Sequence, residues 1–338
     1  MTAESRHRPP SPLFAAPMDP ARYTRRIIQE PHQAIEPVTA QRDLFILAHL
    51  GIPRVDAADW RLNIAGLVER PVTLTLDDIR RLPVRQVESF HQCAGAPRRP
   101  DLAVHRVANV VWSGADLADL LRTCGVHTDA RFVWAYGLDH GDYDGVSAKW
   151  YVKDVPLTRL DEGGVLLAYA VNGEPLAPEH GFPLRLIVPG YYGTNTVKWM
   201  WRLELAETRA TGPFTTVLYN DPDLAAGGTR PVWEAPPEAL IVAPAPGPLA
   251  AAAIEVWGWA WAATEIVQVE VSADGGQSWS PARIERRRQW SWQRFVFDWR
   301  PAGAGSYTLA VRATDSRGTV QPMSKARNAV HTVTVAVA

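Results

Sequence analysis

The chain has 338 residues with 35 Lys and Arg against 36 Asp and Glu, so it lacks the global basic excess of a nucleic-acid-binding protein. Its 46% hydrophobic and 21% charged residues match a globular chain of about two domains. Two cysteines are too few for a disulfide framework, neither sits in a C-x-x-C pair, and no run is apolar enough to span a membrane.

Residues 1–40 are rich in Pro, Arg and Ala without a period, and read as an extended arm laid over a domain. The basic N-terminus has no apolar stretch after it, and Arg25-Arg26 is followed by I-I-Q-E. No export signal is visible, which points to the cytoplasm, or to the periplasm if a leader has been trimmed. Residues 41–50 form an apolar run containing His49, by itself the pattern of a hydrogen-bonded core histidine. From Trp60, W-R-L-N-I-A-G-L-V and V-T-L-T-L alternate as a hairpin or meander. Asp77-Asp78 open a short helix that Pro83 ends.

V-R-Q-V-E-S-F is a strand leading into H-Q-C-A-G-A-P-R-R-P. Cys93 thus lies in a small-residue turn, with His91 before it and Arg98 and Arg99 after it. Cationic neighbours favour a thiolate, which is a nucleophile and a soft metal ligand. On these residues alone a buried, inert thiol is an equal reading. The next helix takes Ser113 or Gly114 as its cap, Leu117, Leu120 and Leu121 as its apolar stripe and Gly125 as its stop; Cys124 is a packing residue.

R-F-V-W-A-Y-G is a strand running into a loop with Asp139, His140, Asp142 and Asp144. The spacing is not that of an EF-hand and suits polar ligand contacts better than a cation. His180, Arg185 and Lys198 surround the strand 184–188 and a loop rich in Gly, Thr and Asn, able either to hold a phosphate or to form a solvated basic rim. Pro, Ala and Gly crowd residues 221–250, the clearest boundary. Short strands with turns at Asp274-Gly275-Gly276 and Asp315-Ser316-Arg317-Gly318 follow, as in an Ig-like sandwich without its disulfide.

Four ordered segments together resemble the sulfite oxidase family of molybdopterin-dependent oxidoreductases. They are F-H-Q-C-A-G-A-P-R-R, then L-L-A-Y-A-V-N-G-E-P-L-A-P-E-H-G-F-P-L-R-L-I-V-P-G, then V-K-W, and the terminal sandwich with V-S-A-D-G-G-Q-S-W and A-T-D-S-R-G-T-V-Q-P. The resemblance implies an α+β fold: a mixed α/β molybdopterin domain (41–225), a linker (226–248) and an Ig-like β-sandwich dimerisation domain (249–338), after the arm (1–40). It implies Cys93 as the molybdenum ligand, and His49, His180, Arg185, Lys198 and Asp142 (or Asp139) as contacts to the molybdopterin cofactor. Trp112 and Tyr219 would wall the substrate pocket, with Arg99 after the cysteine and Arg288 reaching in from the second domain.

It also implies a homodimer that acts on sulfite or a related small oxo-substrate and passes electrons to a separate acceptor such as a cytochrome. Two departures bear on the substrate. Leu47-Ala48-His49 stands where the family has Arg-Asn-His, removing an arginine suited to an oxyanion. Ala96-Pro97 replaces a single Asn, shifting the arginines by one residue. Reduction of a sulfoxide or oxyanion on the same fold, and a non-catalytic β-rich binding module, are the alternatives.

Overall fold

The computed structural model describes residues 18–19, 30–95, 106–223, 226–324 and 326–338. In chain order the first domain runs β1 (Leu62–Gly66), β2 (Val72–Leu74), α1 (Leu76–Arg80), β3 (Val84–Gln92), β4 (Val107–Asp116), α2 (Leu117–Cys124), β5 (Phe132–Gly137), β6 (Val152–Pro156), β7 (Leu166–Val171), β8 (Arg185–Ile187) and β9 (Met200–Ala206), with shorter pieces between them. Alternation in F-V-W-A-Y-G becomes strict alternation of burial along β5. One sheet has the order β6-β5-β9-β1-β2, with β9 parallel to β1. A second joins β7, β4 and β3 antiparallel, with β8 also paired to β7. Trp60, Leu62, Ile64, Leu117, Leu121, Val133 and Leu203 belong to one continuous buried core.

The helices α1 and α2 are short and fixed by their ends. Thr75 caps α1: its hydroxyl accepts from Asp78 N at 3.0 Å, and Asp78 Oδ2 accepts from Thr75 N at 2.9 Å. α2 begins later than expected. Ser113 and Gly114 still belong to β4, and Asp116 is the cap, accepting from Asp119 N at 3.1 Å. A Cβ on Gly114 would lie 2.1 Å from the Leu167 carbonyl, so that glycine serves close strand approach instead of a helix start. Gly125, at φ +68°, ends the helix as expected.

The second domain runs β10 (Glu238–Ala243), β11 (Ile254–Trp261), β12 (Ile266–Ser272), β13 (Gln293–Trp299), β14 (Gly305–Asp315) and β15 (His331–Val337). β10, β11 and β13 form one sheet and β15, β14 and β12 the other, each widened by short strands. They enclose Ala239, Ile241, Val256, Phe295, Val311 and Val335, the β-sandwich expected from the strand spacing. The linker reading needs correction, since β10 lies inside 226–248 and the short strand Gly247–Leu249 begins there. Prolines at 237, 244 and 246 made E-A-L-I-V-A look like part of one irregular stretch, but it is an edge strand with prolines outside it.

A third apolar cluster joins the two domains. Phe90, Ala94 and Tyr192 from the first pack with Leu240, Trp259, Trp261 and Trp292 from the second. The described end of the arm runs between them, where Ala34 O accepts from Trp259 Nε1 at 2.6 Å and Pro37 O from Trp292 Nε1 at 2.9 Å.

Candidate active site

β3 pairs with β4 along its whole length, and Cys93 N extends the ladder by one bond to Arg106 O at 2.9 Å. Cys93 therefore sits where regular pairing stops. Its Sγ accepts from Gly95 N at 3.3 Å, and the residue is 5% exposed. It lines a cavity together with His49, His91, Asp139, Tyr151, His180, Arg185, Thr194, Lys198 and Tyr219. Segments far apart in the chain thus converge on the thiol.

β8 places Arg185 in this cavity. Its Nη2 donates to His91 Nε2 and to Thr196 Oγ1, both at 2.9 Å, and its Nη1 to His180 O at 3.2 Å. Its Nε is buried without a partner. A buried donor left open in an otherwise bonded guanidinium is the mark of a missing acceptor. Because a guanidinium only donates, His91 Nε2 must accept, which fixes His91 as the neutral Nδ1–H tautomer. Burial and the Arg185 charge hold its pKa well below the usual range. His91 therefore gives the thiol no positive charge, correcting the expectation from sequence proximity.

The other two histidines are neutral as well. Tyr219 Oη and His49 Nε2 share a hydrogen bond of 2.5 Å, while burial, Lys198 and Arg106 push His49 down to about 4. Burial raises the Tyr219 phenol, keeping it protonated. Burial, Arg185 and Lys198 push His180 down to about 3. Lys198 donates to Leu47 O at 2.8 Å and to Glu179 O at 3.1 Å. Burial drives the Asp139 carboxyl up and the Lys198 ammonium down, although their mutual attraction opposes both shifts. The cavity thus combines neutral hydrogen-bonding rings with Arg185 and Lys198, a chemistry suited to a heteroatom-rich ligand carrying an anionic group. Among the described residues no three His, Cys, Asp or Glu side chains form a metal cluster. A metal at Cys93 would take one soft ligand from the protein and the rest from another molecule.

Of the residues singled out in the sequence, His49, Cys93, His180, Arg185, Lys198 and Tyr219 meet in this cavity. Trp112 does not line it. It lies 0% exposed one layer behind, with the Arg185 guanidinium 5.1 Å over its ring and His91 edge-on at 5.7 Å. Asp142 is exposed, and Asp139 lines the cavity in its place. The alternation along β5 buries 133, 135 and 137 and continues inward to Asp139, so strand parity could have chosen between them. Arg288 is 66% exposed and pairs with Glu88 at 3.0 Å, away from the cavity.

The second-domain arginine that reaches the cysteine turn is Arg327, which donates to Ala94 O at 2.5 Å and pairs with Asp221. No motif pointed to it. Arg99 lies outside the described residues. Tyr151 and Thr194, joined by a 2.7 Å bond from the phenol to the Thr194 carbonyl, are further wall residues that carried no sequence signal.

Residues 49–214 match the family model of the oxidoreductase molybdopterin binding domain, and residues 230–336 that of the Mo-co oxidoreductase dimerisation domain. Mitochondrial sulfite oxidase of Macaca fascicularis is 30% identical over 84% of this chain and 57% of its own length. A nitrate reductase [NADH] of Phaseolus vulgaris is 28% identical over 86% of this chain and 37% of its own. The chain therefore spans little more than half of the first of these relatives and about a third of the second. The crystal structure of the sulfane dehydrogenase SoxCD from Paracoccus pantotrophus superposes with a TM-score of 0.77 at 28% identity, over 90% of this chain and 82% of that one.

Proposed function

The chain belongs to the sulfite oxidase family of molybdopterin-dependent oxidoreductases, and from that premise we propose that its cavity holds a molybdopterin at Cys93 for oxygen-atom transfer on sulfite or a related small oxo-substrate. The observation that carries this reading is Arg185, which lines the same cavity as the Cys93 thiol and Lys198 and keeps a buried Nε without a partner. Bound there, the cofactor would supply the two-electron oxygen-atom transfer chemistry.

The chain's own groups supply the rest. Cys93, anchored by the Arg106 carbonyl and the Gly95 amide, presents one thiolate to the metal. Arg185 and Lys198 hold the anionic end of the cofactor, and neutral His49 and His180 hydrogen-bond its ring heteroatoms. Asp139 is the pterin-contacting carboxyl of its loop. Tyr219 lines the cavity with its hydroxyl bonded to His49. It would orient a substrate oxygen when that bond is exchanged. A separate carrier such as a cytochrome would take up the electrons, and two copies of the chain would pair through the second domain, whose family model is that of a dimerisation domain.

A second reading, reduction of a sulfoxide or oxyanion, is favoured by one observation. Leu44, Phe45, Leu47 and Ala48 give the cavity an apolar wall where the family pattern carries an arginine. Metal analysis is the first test. Protein made in a molybdopterin-competent host is expected to carry close to one molybdenum per chain, and its absence would return the chain to a non-catalytic module. On loaded protein, Cys93→Ser is expected to abolish sulfite-dependent reduction of an artificial acceptor while the fold survives; retained turnover would remove Cys93 from the metal. Activity with a sulfoxide and a reduced dye, in place of sulfite oxidation, would select the second reading.

A further inference from the structure

Gln92, the residue before Cys93, is gripped at both ends of its amide by the second domain. Its Nε2 donates to Glu238 Oε2 at 2.5 Å, and its Oε1 accepts from Trp261 Nε1 at 2.9 Å. Gln92 and Glu238 are 0% exposed and Trp261 1%. Glu238 and Trp261 face each other as register partners on β10 and β11. They form a two-pronged fork on a rigid sheet. Gln92 is also the last residue of the β3 ladder, paired with Val107. Cys93 adds one further bond and Ala94-Gly95 turn away, so the fork sets the point from which the cysteine turn departs.

We propose that Glu238 and Trp261 are positioning residues for Cys93: by locking the Gln92 amide they fix the end of β3 and hence the direction in which the thiolate is presented. The proposal rests on Cys93 as the metal ligand for its catalytic meaning, but its geometry does not depend on metal. A buried amide bonded at both ends has no free rotamer. Deleting either prong leaves a buried Gln92 group unsatisfied, which the chain relieves by opening the strand end. Around the fork stand Tyr192, whose hydroxyl is buried without a partner, then Asp221 and Arg327, which ties down Ala94 on the far side of the cysteine. The second domain thus holds the residues on both sides of Cys93.

The test is alkylation of the full chain, purified without cofactor, with iodoacetamide and mass mapping of each cysteine. Fully buried Cys124 reports global opening. Glu238→Ala is expected to raise the Cys93 rate by about tenfold, the effect of one lost buried hydrogen bond on local opening, with Cys124 unchanged. Glu238→Gln, whose amide oxygen can still accept from Gln92, is expected to label at the wild-type rate. Trp261→Phe keeps the ring and loses one bond, and is expected to label Cys93 severalfold faster. An unchanged Cys93 rate in Trp261→Phe, or a Glu238→Gln rate equal to that of Glu238→Ala, overturns the proposal. If Glu238→Ala opens both cysteines together, the Trp261→Phe comparison decides. Absence of molybdenum from protein made in a competent host would remove the proposed function and leave this result intact.

Discussion

Arg185 makes three hydrogen bonds and leaves Nε open, and each bond holds a different wall of the cavity: β3 through His91, the loop before β9 through Thr196, and the turn at His180. A lysine has a point charge and no fork, so it cannot hold three walls and an anion at once. Arg185→Lys is therefore expected to lower molybdenum per chain about tenfold at matched expression, read by metal analysis, as fits the loss of one charge-assisted bond. The histidines give a second prediction at this scale. His49 sits at about 4 in the folded state against an ordinary value of 6.5, so the unfolded chain binds a proton first as pH falls. Stability is present above pH 6.5 and lost as pH falls toward about 4. His49 alone contributes on the order of 3 kcal/mol to that loss. Cofactor-free His49→Gln should thus unfold at a lower pH than the wild type in an acid titration followed by Trp fluorescence.

β3 shows why the site was only partly legible as a strand pattern. V-R-Q-V-E-S-F-H-Q starts exposed and ends in four buried residues. One edge of the strand pairs with β4; the other takes Trp290, which accepts from Phe90 N at 3.0 Å and donates to Glu88 O at 3.1 Å. An edge strand at its start becomes a covered strand at its end, because another domain caps it. Glu238 on β10 carries the electrostatic cost of that docking. Burial pushes its carboxyl from 4.5 up to about 8, with the Gln92 bond opposing. Its contribution is fully present below pH 4.5 and is lost as pH rises through about 8. Glu238→Gln removes the ionisation. It should raise stability by a few kcal/mol more at pH 8.5 than at pH 5.5, an order-of-magnitude figure measured by urea unfolding at the two values.

At the scale of the whole molecule, the aromatic cluster of Phe90, Tyr192, Trp259, Trp261 and Trp292 makes the two domains one folding problem. Removing residues 238–338 would strip the cover from Phe90, Tyr192 and Ala94 beside the cysteine. The truncated chain is expected to aggregate, and a soluble monomer on gel filtration would show that the first domain completes its own core. The full chain is expected to run as a dimer in sedimentation.

What the sequence determined by itself was local or ordered along the chain: strand alternation, the Gly125 stop, the sandwich, and the Cys93, His180, Arg185 and Lys198 motifs with their family. What only the tertiary structure decided was which side chains meet. Arg327, not Arg288, reaches the cysteine turn from the second domain, Trp112 lies one layer behind the cavity, and His91 became a neutral acceptor because Arg185 approaches its ring. Periodicity and caps act between residues a few positions apart and leave their mark in the text. Charge state, burial and contacts across 94 residues, as between His91 and Arg185, depend on distances that exist only once the chain has folded.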